Sequence, residues 1–512
     1  MTEKVLVIGA GMAGLCCALT LAPPSQESGD RELVILEKDA PPPQGSADEA
    51  FFDWNRRGVG QLRHSHAFLA RLRTIIKRRH PALLAQLLEA GCREIGFVDM
   101  LPDALKADYV AEDGDGDMAV LTSRRTTLEW VMRRYVETLP GVSIVSEAVV
   151  LGLLTEKGAN GQLTVLGVRG ELAGVATEWR ADFIIDAQGR NSQAPDQLRQ
   201  AGAAIAETAE DCGILYYTRH YRLKPGVAEP SRGRGAGTGD MGYIKYGLFP
   251  GDNGCFSITL AVPEVEMQIR QHVVRPETFD GVCAQFPGIA AWTDPATSEP
   301  ISKVFGMGDL RSRWRAFVAE DQPAILGFFA VGDSLVRTNP LYGRGCSFAA
   351  VEADILAEVL DHAADPAARA RLYDGRVRET LTPYFNSMRD QDRGAIRRAR
   401  NILTPGYEPK LRAKVMTSFL NDGVRIAMRS EIDLLRAGLR DFHMLEPPGK
   451  WLRKPSNAAK IVKWWARGKK RNADLYPPPV GPNRSALMAA LGLDASADIR
   501  QPPDAGMRVR SA

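Results

Sequence analysis

Apolar runs broken by glycines open the chain in a pattern that predicts strand, turn, helix, strand. Val5, Leu6, Val7 and Ile8 are continuously apolar, as in a strand buried on both faces. The run stops at Gly9-Ala10-Gly11-Met12-Ala13-Gly14, and a helical stretch follows over 15–21 until Pro23-Pro24 breaks it. A second apolar run over 33–36 ends in Glu37 and Lys38. Further strands are predicted over 142–150, after the Pro140-Gly141 turn, over 181–186, and over 329–331. Phe348, Ala349, Val351, Ile355, Leu356 and Leu360 give a later helix one apolar face. From about 205 to 315 the chain alternates like strands, as in 214–218 and 255–262. Beyond about residue 366 it turns helical and charge-rich, and 473–483 and 500–512 read as polar loops or tail.

This order predicts an α/β protein. A discontinuous Rossmann-like nucleotide-binding domain covers 1–200 and 316–365, a mixed β-sheet substrate domain is inserted over 201–315, and a helical region with a polar tail fills 366–512. The 512 residues are 45% hydrophobic and 25% charged, an ordinary globular composition. The 65 basic and 62 acidic residues nearly balance, which argues against a dedicated nucleic-acid binder. Seven scattered cysteines without a CxxC exclude a disulfide framework and a zinc finger, and fit a reducing cytoplasm. No secretory signal is expected before the first strand, and no apolar run reaches the roughly 18 residues that cross a bilayer.

Each part of the opening motif has a physical reason. Gly9 allows a tight turn, Gly11 lets a pyrophosphate approach the backbone, and Gly14 lets the helix pack on the sheet. Met12 and Ala13 begin the helix whose free N–H groups would face the phosphates. Glu37, with Lys38 beside it, stands where a dinucleotide ribose is recognised.

Two further segments point to which dinucleotide. Ala181-Asp182-Phe183-Ile184-Ile185-Asp186-Ala187-Gln188-Gly189-Arg190-Asn191-Ser192 is one, and Gly332-Asp333-Ser334 followed by Asn339-Pro340-Leu341-Tyr342-Gly343-Arg344-Gly345-Cys346 is the other. Both resemble signatures of the FAD-dependent monooxygenase superfamily, with its para-hydroxybenzoate hydroxylase, geranylgeranyl reductase and flavin halogenase branches. Ser123-Arg124-Arg125, leading into Leu128-Glu129, resembles a helix of the same group. The matches span residues 4 to about 360. The resemblance implies a GR2-type FAD-binding fold, with Asp186 and Gly189 beside the cofactor and Asp333 accepting from the ribityl chain. Pro340 would wall the flavin ring, and Gly343, Gly345 and Cys346 would open a helix toward its pyrimidine edge. Arg125 would contact the flavin side, with Arg124 the alternative, and Val149 would lie near the adenine. Arg344 departs from the group's usual Gln, and is read either as a surface loop residue or as reaching the substrate.

Gly58 to His66 is the least ordinary stretch, because Arg63, His64 and His66 crowd into a loop of a chain with only seven histidines. A histidine titrates near neutral pH, so these three residues are candidates for substrate orientation or proton relay. Cofactor positioning and a purely structural loop are the competing readings, and no third ligand nearby supports a metal. Tyr216, Tyr217, Arg219 and Tyr246 of the middle region are candidate substrate contacts. The resemblance implies a monooxygenase that reduces FAD with NAD(P)H, adds O2, and hydroxylates or epoxidises a hydrophobic small molecule. A partner flavin reductase is a second route for the electrons. A geranylgeranyl-reductase-type enzyme and a non-catalytic FAD-binding protein share the same motifs, whereas the halogenase branch's WxWxIP signature is absent. Residues 450–471 hold nine Lys or Arg and no acid, with Trp451, Trp464 and Trp465 among them. Such a helix either contacts a membrane surface peripherally or is anchored to the body by its tryptophans.

Overall fold

The computed structural model describes residues 2–22, 31–231, 237–496 and 508–510. The Pro23-Pro24 break and most of the 500–512 tail lie outside the described residues. Five parallel strands form the central sheet in the spatial order Phe328–Ala330, Phe183–Asp186, Glu3–Ile8, Arg31–Glu37, Val142–Ser146. A parallel sheet is covered on both faces, which is why Val5 to Ile8 carry no polar residue and are at most 3% exposed. Helices Met12–Leu21 and Gly345–His362 pack against each other, and Thr20 Oγ1 donates to the Ala353 carbonyl at 3.0 Å. A three-stranded antiparallel ribbon, Ala148–Lys157, Leu163–Leu172 and Val175–Arg180, shares the core of the sheet.

Parallel strands all finish at one edge. Gly9, Glu37, the turn after Asp186 and Gly332 therefore gather there, although more than 300 residues separate the first from the last. The stretch 142–150 forms two strands rather than one. Glu147 takes φ 60° and turns the chain out of the parallel sheet into the antiparallel ribbon.

The middle region is an antiparallel sheet in the order Thr238–Asp240, Lys245–Pro250, Cys255–Pro263, Ile214–Leu223, Ser298–Pro300, with Phe305–Met307 also paired to Ile214–Leu223. Successive residues point to opposite faces. Tyr217, Tyr221, Phe256, Ile258 and Leu260 pack outward against Phe279, Phe286 and Trp292. Tyr216, Thr218, His220, Ser257 and Thr259 face inward, toward residues 63–66 and the 339–345 loop. A smaller sheet joins Val336–Arg337, Arg311–Ala316 and Ala206–Asp211, and Arg508–Arg510 adds a strand to its edge, so part of the expected tail is ordered.

The C-terminal region is helical. Helix Pro366–Leu403 buries Val377, Leu381, Phe385 and Met388 along one stripe, and Tyr373 donates its hydroxyl to the Ala330 carbonyl at 2.9 Å. Trp451 is buried, and Trp464 and Trp465 donate their ring N–H groups to Glu431 and Ser418, so the tryptophans hold helix Pro455–Arg471 to the body. No described helix is long and apolar enough to cross a membrane.

Candidate cofactor site and its roof

The turn after the first strand is glycine because its surroundings leave room for nothing else at two positions and are open at a third. A Cβ on Gly9 would lie 2.8 Å from the Ala187 carbonyl oxygen, and one on Gly14 would lie 1.9 Å from that of Gly9. A Cβ on Gly11 would meet nothing within 4 Å. Helix Met12–Leu21 starts there without a side-chain cap, which leaves its first N–H groups available to a ligand. Glu37 is buried and braces the turn: Oε2 accepts from Ala10 N at 2.8 Å and Oε1 from Asp39 N at 3.0 Å. Lys38 is exposed.

A chain of alternating charges leads from Glu37 to the histidine segment. Arg56 donates to Glu37 at 2.9 Å and to Glu129 at 3.0 Å. Arg125 donates to the other Glu129 oxygen at 2.6 Å and to His66 Nε2 at 3.1 Å. Neighbouring Arg124 turns the other way, onto Asp252 and Asp48, so only Arg125 of the two reaches the histidine segment. A guanidinium only donates, so His66 carries its proton on Nδ1, which donates to the His64 carbonyl at 2.8 Å. Burial and Arg125 push the His66 pKa well below the usual histidine value, so the ring is neutral.

His64 belongs to a ladder of hydroxyls. Thr259 donates to Ser65 at 2.8 Å and Ser65 to Ser257 at 2.7 Å. Thr259 has then spent its proton, so Thr218, 2.7 Å away, donates to it and accepts from His64 Nδ1 at 2.9 Å. His64 is left with a lone pair on Nε2, which bonds no described residue. Burial, with Arg190 and Arg125 nearby, pushes its pKa down to about 4.

At the edge of the sheet Asp333 follows Gly332, whose φ is 70° and whose missing Cβ would stand 2.8 Å from that of Ala13. The Asp333 carboxylate accepts no hydrogen bond from the described residues. Burial raises its pKa, against the pull of Arg337, Arg125, Arg313 and Arg190. Beneath it, fully buried Glu352 accepts from Gly332 N at 2.5 Å.

The loop after Asp333 is held from far away in the chain. Asn339 Oδ1 accepts from Tyr216 OH at 2.8 Å, and its Nδ2 donates to Asp392 Oδ1 at 2.8 Å. Tyr342 OH donates to the same Asp392 oxygen at 2.8 Å. Pro340 is exposed and Gly343 takes φ 64°. Helix Gly345–His362 then begins without a side-chain cap. Arg344 is buried rather than on a surface loop, over the Tyr384 ring at 5.2 Å. Burial raises the Cys346 thiol to about 11, which keeps it protonated.

These features fit FAD. Two uncapped helix N-termini, an open glycine and a carboxylate without a donor stand on one edge, as pyrophosphate, flavin ring and ribityl hydroxyls require. Several residues chosen from sequence are engaged elsewhere. Arg63 spends its donors on the carbonyls of Phe51, Phe52 and Trp54, and braces a short helix instead of facing the site. Asp186 accepts from Ser192 Oγ and Gln188 N, so it pins its own turn. The adjoining Gly189 takes φ 73° and its N–H donates to Ser334 Oγ at 3.0 Å. Val149 lies past the strand end, 39% exposed and paired with Glu171. Tyr217, Arg219 and Tyr246 are on the outer face, bonded to the Arg270 carbonyl, to Asp280 and to the Val480 carbonyl, because the strand period of two turns them away from Tyr216 and the roof.

Sequence reasoning assigned no role to Asp392, and Thr218, Thr259, Ser65 and Ser257 went unnoticed. Asp392 did leave a signal, since it continues the apolar stripe of Leu381, Phe385 and Met388 four residues on. The hydroxyls left none, because Ser and Thr in strands are unremarkable.

The fold is similar to that of solved flavin-dependent monooxygenases and halogenases. The chain is similar to PqsL, a probable FAD-dependent monooxygenase from Pseudomonas aeruginosa, at 16% identity and a TM-score of 0.54, over 78% of this chain and 98% of that one. It is similar to CmlS, a flavin-dependent halogenase, at 17% identity and a TM-score of 0.57, over 86% and 77%. It is also similar to p-nitrophenol 4-monooxygenase from Pseudomonas putida, at 15% identity and a TM-score of 0.56, over 87% and 98%. No family model and no curated protein matches the sequence, so the likeness rests on the fold.

Proposed function

We propose that the protein is an FAD-dependent monooxygenase acting on a small molecule that brings a hydrogen-bond donor to His64. The single observation that carries the FAD reading is Asp333: a carboxylate among four arginines, with no donor of its own, at the mouth of two uncapped helices. Bound FAD supplies the redox and O2 chemistry that no side chain has. Gly11, Met12 and Ala13 would hold its pyrophosphate, Glu37 its adenosine ribose, Asp333 its ribityl hydroxyls, and the 343–345 backbone its flavin ring.

The chain's own groups do the rest. His64 Nε2 accepts a hydrogen bond from the substrate and stays neutral, because its Nδ1 proton is already held on Thr218. His66 and Arg125 fix the orientation of that segment. The inward face of the middle sheet sets the hydroxyls of Thr218, Ser257 and Thr259 beside Tyr216 and His220, while Tyr217 and Tyr246 point outward. A substrate with an apolar body and one polar end fits this roof. NAD(P)H is the proposed electron donor, and the seven unpaired cysteines suit a reducing compartment.

Purified protein is expected to be yellow, and to consume O2 with NAD(P)H when substrate is present. Anaerobic reoxidation of the reduced protein by an alkene would favour the reductase reading. Halide-dependent product would favour a halogenase, and a flavin inert to every reductant a binding protein. Replacing Asp333 with Ala is expected to lower FAD retention about tenfold, read from the flavin-to-protein ratio after gel filtration. Unchanged flavin content would remove the ribityl assignment.

A further inference from the structure

One stretch of the C-terminal region is apolar and uncovered. Every residue from 404 to 417 is exposed, including all of helix Leu411–Ser418 except its last residue. Leu411 is 76% exposed, Met416 53% and Val415 46%, and Leu420 just beyond is 50% exposed. Lys410, Arg412 and Lys414 are interleaved with them, and 409–421 contains no acid. An eight-residue helix that buries nothing gains no stability from the fold it belongs to, and large side chains held in water need a partner.

The neighbouring surface says which partner. Trp465 Nε1 donates to Ser418 Oγ at 3.1 Å and its ring meets Phe419 edge-on at 5.3 Å, so helix Pro455–Arg471 is fastened to the end of the exposed helix. Lys463 and Arg467 of that helix are exposed, as are Val462 and, past the kink at Gly468, Lys470 and Arg471. Residues 450–471 carry nine positive charges and no negative one, against a net +3 for the whole chain, so the remainder of the molecule carries a net −6. That asymmetry favours turning this helix toward a negative surface.

We propose that helix Leu411–Ser418 and the basic face of helix Pro455–Arg471 together dock the protein on an anionic bilayer surface. The apolar side chains enter the interface, Arg412 and Lys414 reach the headgroups, and the flanking lysines and arginines add attraction to the lipid charge. The protein lies on the membrane and does not span it.

The test is co-sedimentation of the full-length, flavin-loaded protein with two kinds of vesicle: phosphatidylcholine alone, and phosphatidylcholine doped with phosphatidylserine. Binding is expected only to the doped vesicles, and is expected to fall as salt is raised. Leu411→Asp with Met416→Asp, and separately Lys463→Glu with Arg467→Glu, are each expected to reduce the bound fraction at least about tenfold. Flavin content and melting temperature should stay at wild-type values, because neither pair is near the cofactor site. Equal binding to both vesicle types, no binding to either, or full binding by both double variants would overturn the proposal. So would a concentration-dependent dimer in sedimentation velocity that Leu411→Asp with Met416→Asp abolishes, since the face would then belong to a second copy of this chain.

Discussion

Two glycine-bearing turns flank the same cavity edge, and they are built in opposite ways. The turn at Gly9 to Gly14 is made mostly by its own stretch of chain: Gly14 packs on Gly9 and Ala10 bonds Glu37 one strand away, with the Ala187 carbonyl just past the neighbouring strand against Gly9. The turn at Asn339 to Gly345 is made by strangers. Tyr216 comes from the middle sheet and Asp392 from the C-terminal helix, 123 and 53 residues away. The first has its shape dictated by sterics, which a sequence records as glycine. The second depends on partners that only folding delivers. Helix Pro366–Leu403 therefore helps to shape the second turn, through Asp392.

Four changes would break or sharpen that contrast. The largest effect is expected at Gly14. Gly14→Ala drives a methyl group into the Gly9 carbonyl, and should cost about 3 kcal/mol with loss of flavin, measured by denaturant titration and the flavin-to-protein ratio. A variant as stable as wild type would show that the local turn yields easily.

Asp392 comes next. Asp392→Ala leaves the buried Asn339 amide without its acceptor and the Tyr342 hydroxyl with the Met388 carbonyl alone, for about 1–3 kcal/mol and a looser flavin. Asp392→Asn keeps one acceptor oxygen and should cost far less. If Ala and Asn behave alike, the long-range clamp is not what holds the second turn.

The histidine segment and the Asp392 clamp on the second turn should also answer pH with opposite sign. His64 has a folded pKa of about 4, below its unfolded value near 6.5, so the unfolded chain binds the extra proton in between. That contribution is whole above pH about 6.5 and is lost as pH falls toward 4, by about 1–3 kcal/mol. Asp392 has its pKa raised, chiefly by burial, so the folded state holds the extra proton. Its contribution is present at low pH and is lost as pH rises through the folded value. His64→Gln should flatten the acid-side loss in thermal melts taken across pH, and Asp392→Asn should not.

The smallest pair of effects is the most discriminating. Tyr216→Phe and Tyr217→Phe each delete one hydroxyl, and each should cost about 1 kcal/mol. Only Tyr216→Phe should weaken flavin retention, because Tyr217 donates outward to the Arg270 carbonyl. Equal flavin loss in both would mean that the two faces of the sheet are not independent.

By itself the sequence determined the parallel core and its glycine turn. An unbroken apolar run means a strand covered on both faces, and glycines that cannot carry a Cβ mark a turn pressed against its neighbours, so both are written locally. It also brought the 63–66 segment forward through rarity of composition. Direction and partnership were beyond it. Arg124 and Arg125 are adjacent and alike, yet one reaches Asp252 and the other His66. Tyr216 and Tyr217 differ only in which side of a pleat they occupy. Arg63 looked as reactive as His64 until its donors were found on backbone carbonyls. Only the tertiary structure decided these matters, because a hydrogen bond depends on where two groups stand in space, and the groups around this cavity come from strands, loops and helices hundreds of residues apart.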